Sequence, residues 1–177
     1  INKRDDGYHN LRSGITLINL FDEIIAQKSD NFSVTYIGDY ASTLNKFEDC
    51  IIKRLFSEFN IPKPNFKFTI KKNIPVQSGL GSGSSNVATI LRILEKIGYE
   101  NLYLNDYSKL GADIPFFIKK NDALVRGIGE ILIDQLFPKY YFLLIKPSIS
   151  LSTFDMFKQI NLDNNHYNFD HDINEIT

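Results

Sequence analysis

The run Pro75-Val76-Gln77-Ser78-Gly79-Leu80-Gly81-Ser82-Gly83-Ser84-Ser85 constrains this chain more than any other stretch, because three alternate glycines and two serines lead straight into a helical pattern. Residues without a Cβ let successive backbone N–H groups turn toward one anion. The helix that follows adds its own free N–H groups and the positive end of its dipole. The run therefore predicts a phosphate cradle between a strand and a helix. Upstream, Phe66, Phe68 and Ile70 alternate with Lys67, Thr69 and Lys71, the period of a half-buried strand. Downstream, Val87, Ile90, Leu91, Leu94 and Ile97 recur at helical spacing, with Ser84 or Ser85 placed to cap the start and Gly98 to stop the end.

Two better-known phosphate motifs are tested by that order. A Walker A loop ends in Gly-Lys-Ser/Thr, and this loop has no lysine there, so the P-loop NTPase reading fails. A dinucleotide fingerprint would put its third small residue at Ser84 with an acidic residue about twenty positions on, a spacing met only loosely. Taken alone, the stretch also suits a surface loop closed by a serine cap.

A chain of 177 residues with 43% hydrophobic content can bury one substantial core, or one core and part of another. Its net charge of −1 gives no reason to expect nucleic acid or an anionic membrane as partner. No apolar stretch approaches the roughly twenty residues that span a bilayer, and the first residues do not read as a signal peptide, so a soluble protein is expected. Cys50 is the single cysteine, which excludes an intrachain disulfide and a cysteine-based metal cluster; it reads as a small packing residue in a helix. His166 and His171, five residues apart in a polar tail, are weak grounds for a metal site.

Ile15 to Leu20 and Phe32 to Ile37 read as strands, expected to pair antiparallel across a polar turn at Ser29 to Asn31. Ile52, Leu55, Phe56 and Phe59 form a helical stripe ended by Pro62 and Pro64. Gly127-Ile128-Gly129 reads as a turn between Ala123–Val125 and Glu130–Leu132, and Tyr140 to Ile145 as a buried strand. Lys72 could reach a nucleotide from a strand end, but beside Lys67 and Lys71 it reads as part of a solvated face. The irregular order of strands and helices predicts an α+β fold.

Asp6-Gly7-Tyr8-His9, the Pro75 to Ser85 loop and Gly111-Ala112-Asp113-Ile114-Pro115 together resemble the GHMP kinases in order and separation. Lys3 to His9, Gly127-Ile128-Gly129-Glu130 and Pro147 to Thr153 resemble the branch of that family acting on a cytidine-diphosphate-linked methylerythritol in non-mevalonate isoprenoid synthesis. The resemblance implies a GHMP-kinase-like N-terminal ATP-binding domain over 1–158, with 159–177 a polar tail or the start of a largely missing C-terminal domain. It implies ATP, with Mg2+ arriving on its phosphates, and transfer of a phosphoryl group to the 2-hydroxyl of a cytidylyl alcohol. It further implies a bacterial cytoplasmic location, or a plastid-type organelle second. Another GHMP small-alcohol kinase and a non-catalytic nucleotide-binding remnant remain as alternatives.

By the same resemblance, Pro75 to Ser85 hold the ATP phosphates and Asp113 takes or orients the proton of the attacking hydroxyl. Tyr8 stacks on cytosine, His9 bonds its edge, and Phe157 closes the sandwich. On its own chemistry Asp113, followed by Ile114 and Pro115, is also a good helix N-cap. Ser78 and Ser82 stand where the family more usually has glycine, and serine at a positive φ is strained. The resemblance also expects an upstream strand bearing a lysine and a second glycine-rich loop downstream. Neither is in these 177 residues, so an incomplete form of a kinase is expected.

Overall fold

The computed structural model describes residues 2–5, 9–42, 44 and 50–146. Among the described residues the regular structure comprises two sheets, three α-helices and two short 3-10 helices at Leu102–Leu104 and Tyr107–Lys109, as an α+β fold allows. Strand β1 (Asn2–Lys3), β2 (His9–Ile15), β6 (Ala123–Gly127) and β7 (Ile131–Asp134) form one sheet in the order β1-β2-β6-β7. Strand β3 (Glu23–Lys28), β4 (Ser33–Ile37) and β5 (Phe66–Lys71) form the other, in the order β3-β5-β4. The helices are α1 (Ile51–Glu58), α2 (Ser82–Lys96) and α3 (Ile114–Lys119).

The period of two in β5 does what it predicts: Phe68 and Ile70 are fully buried while Lys67 and Lys71 face water. Against that face lie Ile52, Leu55 and Phe56 of α1 and Val87, Ile90, Leu91 and Leu94 of α2, each at helical spacing. Phe32 bridges the layers, its ring edge-on to Phe56 at 4.7 Å and to Phe68 at 6.2 Å. Helix α2 stops at Gly98 as expected. With φ +100° there, Gly98 N–H reaches the Glu95 carbonyl at 3.0 Å and Tyr99 N–H the Leu94 carbonyl at 3.0 Å, a complete Schellman closure.

Four expectations are corrected. The strand expected at Ile15 to Leu20 ends at Ile15, and Glu23–Lys28 forms β3 instead. Its apolar residues Ile24, Ile25 and Ala26 are consecutive, so alternation hides it. Nor do the strands either side of Ser29 to Asn31 pair with each other. The crossover through α1 brings β5 in parallel to β4, and β3 lies antiparallel on the other edge of β5, from Glu23↔Lys71 to Lys28↔Phe66. The ion pair of Lys71 Nζ with Glu23 Oε1 at 2.9 Å sits at one end of that register.

Tyr140 to Ile145 is not a buried strand. Leu143 and Ile145 are more than four-fifths exposed, and no strand among the described residues pairs with the run. An apolar run becomes a strand only where an edge accepts it. Cys50 is buried as expected, but at the N-cap position of α1 rather than inside the helix. Among the described residues no helix is long and apolar enough to cross a membrane.

Leu91 lies fully buried between α2 and the sheet. Leu91→Ala is expected to cost roughly 2–5 kcal/mol in urea unfolding with little change in m-value, the signature of a cavity in an otherwise intact core.

Candidate functional site

The glycine loop leaves β5, turns through left-handed conformations at Gln77 (φ +57°), Gly79 (φ +73°) and Gly81 (φ +64°), and starts α2 at Ser82. The helix therefore begins before Ser84 and Ser85, and Gly81 occupies the N-cap position. Ser78 and Ser82 fall outside the positive-φ residues, so neither carries the strain expected of serine there. Among the described residues, no backbone carbonyl accepts from the N–H groups of Gly79 to Ser84. These are the unsatisfied donors that an anion at a helix start requires.

Close approach explains the other motif glycines. A methyl group on Gly81 would stand 2.6 Å from the Phe117 ring and 3.4 Å from Asp113 Oδ2. One on Gly111 would stand 3.1 Å from Ser84 Oγ, and one on Gly129 3.2 Å from Ala112 Cβ. The Gly111–Pro115 segment therefore touches both the loop and the Gly127–Glu130 turn. Arg92 of α2 secures the arrangement, donating from Nη1 to the Phe117 carbonyl at 3.0 Å.

Asp113 stands at the N-cap position of α3 but does not cap with its side chain. Its backbone is helical (φ −81°, ψ −11°), and its carbonyl accepts from Phe117 N–H at 3.3 Å while its carboxylate makes no cap hydrogen bond. The carboxylate instead lies beside Gly81. Although Asp113 as a whole remains exposed, burial of its carboxyl against the loop raises its pKa above the ordinary value.

His9 opens β2, buried to 9% exposure. Leu11, two residues on, pairs with Gly127, which brings His9 to the end of the sheet that carries the Gly127–Glu130 turn. Asp6, Gly7, Tyr8, Pro147 to Thr153 and Phe157 lie outside the described residues.

Lys72 is the residue the sequence misplaced. It is 3% exposed, not solvated, and its Nζ bonds both Asp22 Oδ2 and Ser82 Oγ. Asp22, 1% exposed at its side chain, also accepts from Ser82 Oγ at 2.7 Å and Asn86 Nδ2 at 3.0 Å through Oδ2. Its Oδ1 accepts from the N–H groups of Asn73 at 2.9 Å and Ile74 at 3.0 Å. Burial pushes this carboxyl upward, but hydrogen bonds from Lys72, Ser82 and Ile74, with the Lys72 charge, outweigh it and hold the pKa below the ordinary value. The one available signal was the period itself: continuing the strand alternation from Phe68 and Ile70 puts position 72 on the inner face.

The two carboxylates predict opposite behaviour. Removing the charge on Lys72 strands a buried anion, so Lys72→Met is expected to cost about 3–5 kcal/mol in urea unfolding at neutral pH. The stabilisation from Asp22 is present above the usual carboxylate pKa and is lost as pH falls through its lowered value. Asp113 has the reverse sign, since its raised pKa makes the ionised form a burden on the folded state. Asp113→Asn is expected to raise the melting temperature at pH 7, and the gain should vanish below the usual carboxylate pKa, where both states of the wild type are protonated. Melting curves across pH check both signs.

Residues 45–121 match the family described as GHMP kinases N terminal domain. A 4-diphosphocytidyl-2-C-methyl-D-erythritol kinase of Francisella philomiragia is 36% identical over 173 residues, covering 92% of this chain and 61% of that protein. The enzyme of the same name from Clostridium perfringens is 35% identical over 173 residues, covering 92% of this chain and 59% of its own length. A crystal structure of 4-(cytidine 5'-diphospho)-2C-methyl-D-erythritol kinase superposes with a TM-score of 0.59 at 28% identity, over 77% of this chain and 50% of that one. The chain thus spans about 60% of the length of the curated relatives it matches. The family match runs through β5, the glycine loop, α2 and Asp113 in one stretch, so the segment that builds the loop and the carboxylate beside it is the segment similar to a GHMP kinase N-terminal domain.

Proposed function

We propose that the protein is an ATP-dependent kinase of a small-molecule alcohol, with Pro75 to Ser85 holding the nucleotide phosphates and Asp113 facing the attacking hydroxyl. One observation carries this reading. A carboxylate that caps nothing, with its pKa raised, sits against a loop of unsatisfied N–H donors. A phosphate seated on those donors would bring its transferable group within reach of Asp113. An acceptor hydroxyl between them would form its bond to phosphorus as the bond to ADP breaks, and its proton would pass to the Asp113 carboxylate. The elevated pKa suits that task, because a stronger base takes the proton more readily.

The acceptor proposed is 4-diphosphocytidyl-2-C-methyl-D-erythritol, phosphorylated at its 2-hydroxyl in the non-mevalonate route to isoprenoids. The names of the relatives support it, as does the Asp6-Gly7-Tyr8-His9 segment. In this reading Tyr8 and Phe157 sandwich the cytosine, and His9 reads its edge. Buried at a strand end beside the Gly127–Glu130 turn, His9 has the restricted rotation that an edge reader needs. The reaction then runs in a bacterial cytoplasm. Among the described residues no three His, Cys, Asp or Glu side chains gather to hold a metal, so Mg2+ enters this proposal only as the companion of ATP.

Titration calorimetry with ATP and with the cytidylyl alcohol, followed by a phosphoryl-transfer assay, tests the proposal. Both ligands should bind, and Asp113→Asn should lower turnover by roughly 10²–10⁴ while leaving ATP affinity nearly unchanged. Tyr8→Ala should weaken the cytidylyl alcohol by about ten- to a hundredfold, the worth of one base stacked on an aromatic ring. Binding of ATP alone, without transfer, would make the protein a nucleotide-binding module. Undiminished turnover in Asp113→Asn would remove Asp113 from the chemistry.

A further inference from the structure

We propose that Asp22, neutralised by Lys72, is a positioning residue that clamps both ends of the glycine loop, and that the Ser82 hydroxyl serves this clamp rather than the phosphate. The inference rests on the reading of Pro75 to Ser85 as the ATP loop.

The two oxygens of one carboxylate hold the two feet of the loop. Oδ1 takes the N–H groups of Asn73 and Ile74, where the chain leaves β5. Oδ2 takes Ser82 Oγ in the first turn of α2 and Asn86 Nδ2 one turn further along. Residues 75–81 are strung between these fixed points, so the separation of the feet sets where the N–H groups of Gly79 to Ser84 point. Lys72 makes the clamp tenable, since an ionised carboxylate this deeply buried needs a partner charge.

Proton counting decides the role of Ser82. A hydroxyl has one proton to give, and here it goes to Asp22 while a lone pair accepts from Lys72. Nothing is left to donate to a phosphate oxygen, so Ser82 can offer a bound nucleotide its backbone N–H but not its side chain. A carboxylate rigidly held by side chains and backbone from α2 and from the chain just past β5 is the kind of support on which a precise anion site depends.

The test compares wild type with Asp22→Asn/Lys72→Met and with Ser82→Ala. The double variant removes both charges together and leaves an amide oxygen to accept from Asn73 and Ile74. ATP affinity is read by calorimetry, and amide hydrogen exchange is read without nucleotide. Both variants should bind ATP more weakly, by about tenfold in the double variant, the equivalent of one charge-assisted hydrogen bond. In the absence of nucleotide both should exchange faster at the loop and at Ser85, whose N–H closes onto Gly81 at 2.9 Å, while Leu91 in the middle of α2 stays protected. Wild-type exchange at Ser85 in a folded variant would overturn the clamp. Weaker ATP binding by Ser82→Ala with exchange unchanged would instead make its hydroxyl a phosphate ligand. Should the double variant fail to fold, Ser82→Ala decides by the same two readouts. Should wild type bind no ATP, the kinase reading falls, and exchange at Ser85 alone still decides whether Asp22 holds the loop.

Discussion

A carboxylate buried to 1% exposure can stay ionised only if the fold surrounds it with donors, and Asp22 has five of them. Two come from the backbone just past β5, two from the first turns of α2, and the fifth from Lys72. No single element could supply that set. The sheet and helix must therefore already be in register for the charge to be tolerated, and once they are, the charge penalises any other register. The position also suits the field of the helix. An anion at the start of α2 faces the positive end of its dipole, whereas Lys72 alone there would be opposed by it. The pair is arranged so that the carboxylate touches α2 twice, at Ser82 and one turn on at Asn86, and the ammonium only through the Ser82 hydroxyl.

The second carboxylate of interest is built by the opposite rule. Asp113 has the backbone of a helix start and the proline that favours one, and its carbonyl accepts the first helical bond, yet its side chain caps nothing. It lies against the loop at Gly81, whose lack of a side chain leaves room for both the carboxylate and the Phe117 ring. One fold thus holds one carboxylate firmly ionised for structure and another at raised pKa beside a set of empty donors. Hydrogen bonds and a partner charge drive one carboxyl down while burial drives the other up, so the two environments pull like groups apart. The placement of Asp113 follows from packing among three glycine-bearing segments, so the same contacts that stabilise the domain also set the reach of its candidate base.

What sequence could show was set by how local the deciding interactions are. The α2 stripe from Val87 to Leu94, the β5 alternation, the Gly98 stop and the hairpin turn at Gly127–Gly129 depend on neighbours within a few residues, and each is found where its pattern places it, whereas Ile97, the last of the stripe, falls at the helix end and is exposed. Strand β3 was hidden because three consecutive apolar residues obscure a period of two. The pairing of β4 with β5 was hidden because the crossover through α1 settles it. Lys72 failed for a deeper reason. Its charge argues for water, and the residue that reverses the argument lies fifty positions earlier at Asp22, in a segment with no motif of its own. Sequence joined the glycine loop to Asp113 only through a likeness between families, whereas the structure joins them by contact at Gly81.

Ser82 shows how a departure from a motif can be absorbed without strain. The argument against serine there assumes that every position of a glycine-rich loop needs a left-handed backbone. In this loop that burden falls on Gln77, Gly79 and Gly81, and Ser82 is already helical. A side chain at this position is therefore free to point down into the fold, toward β5 and Asp22, instead of out toward an anion. The hydroxyl found there is nearly fully buried and makes two hydrogen bonds to charged groups, a class worth more than neutral pairs. A glycine would keep the same backbone N–H for a phosphate but lose the tie to the ion pair beneath. The serine thus leaves the surface chemistry of the loop unchanged while fastening its helical foot to the sheet, so the two faces of one residue serve different ends.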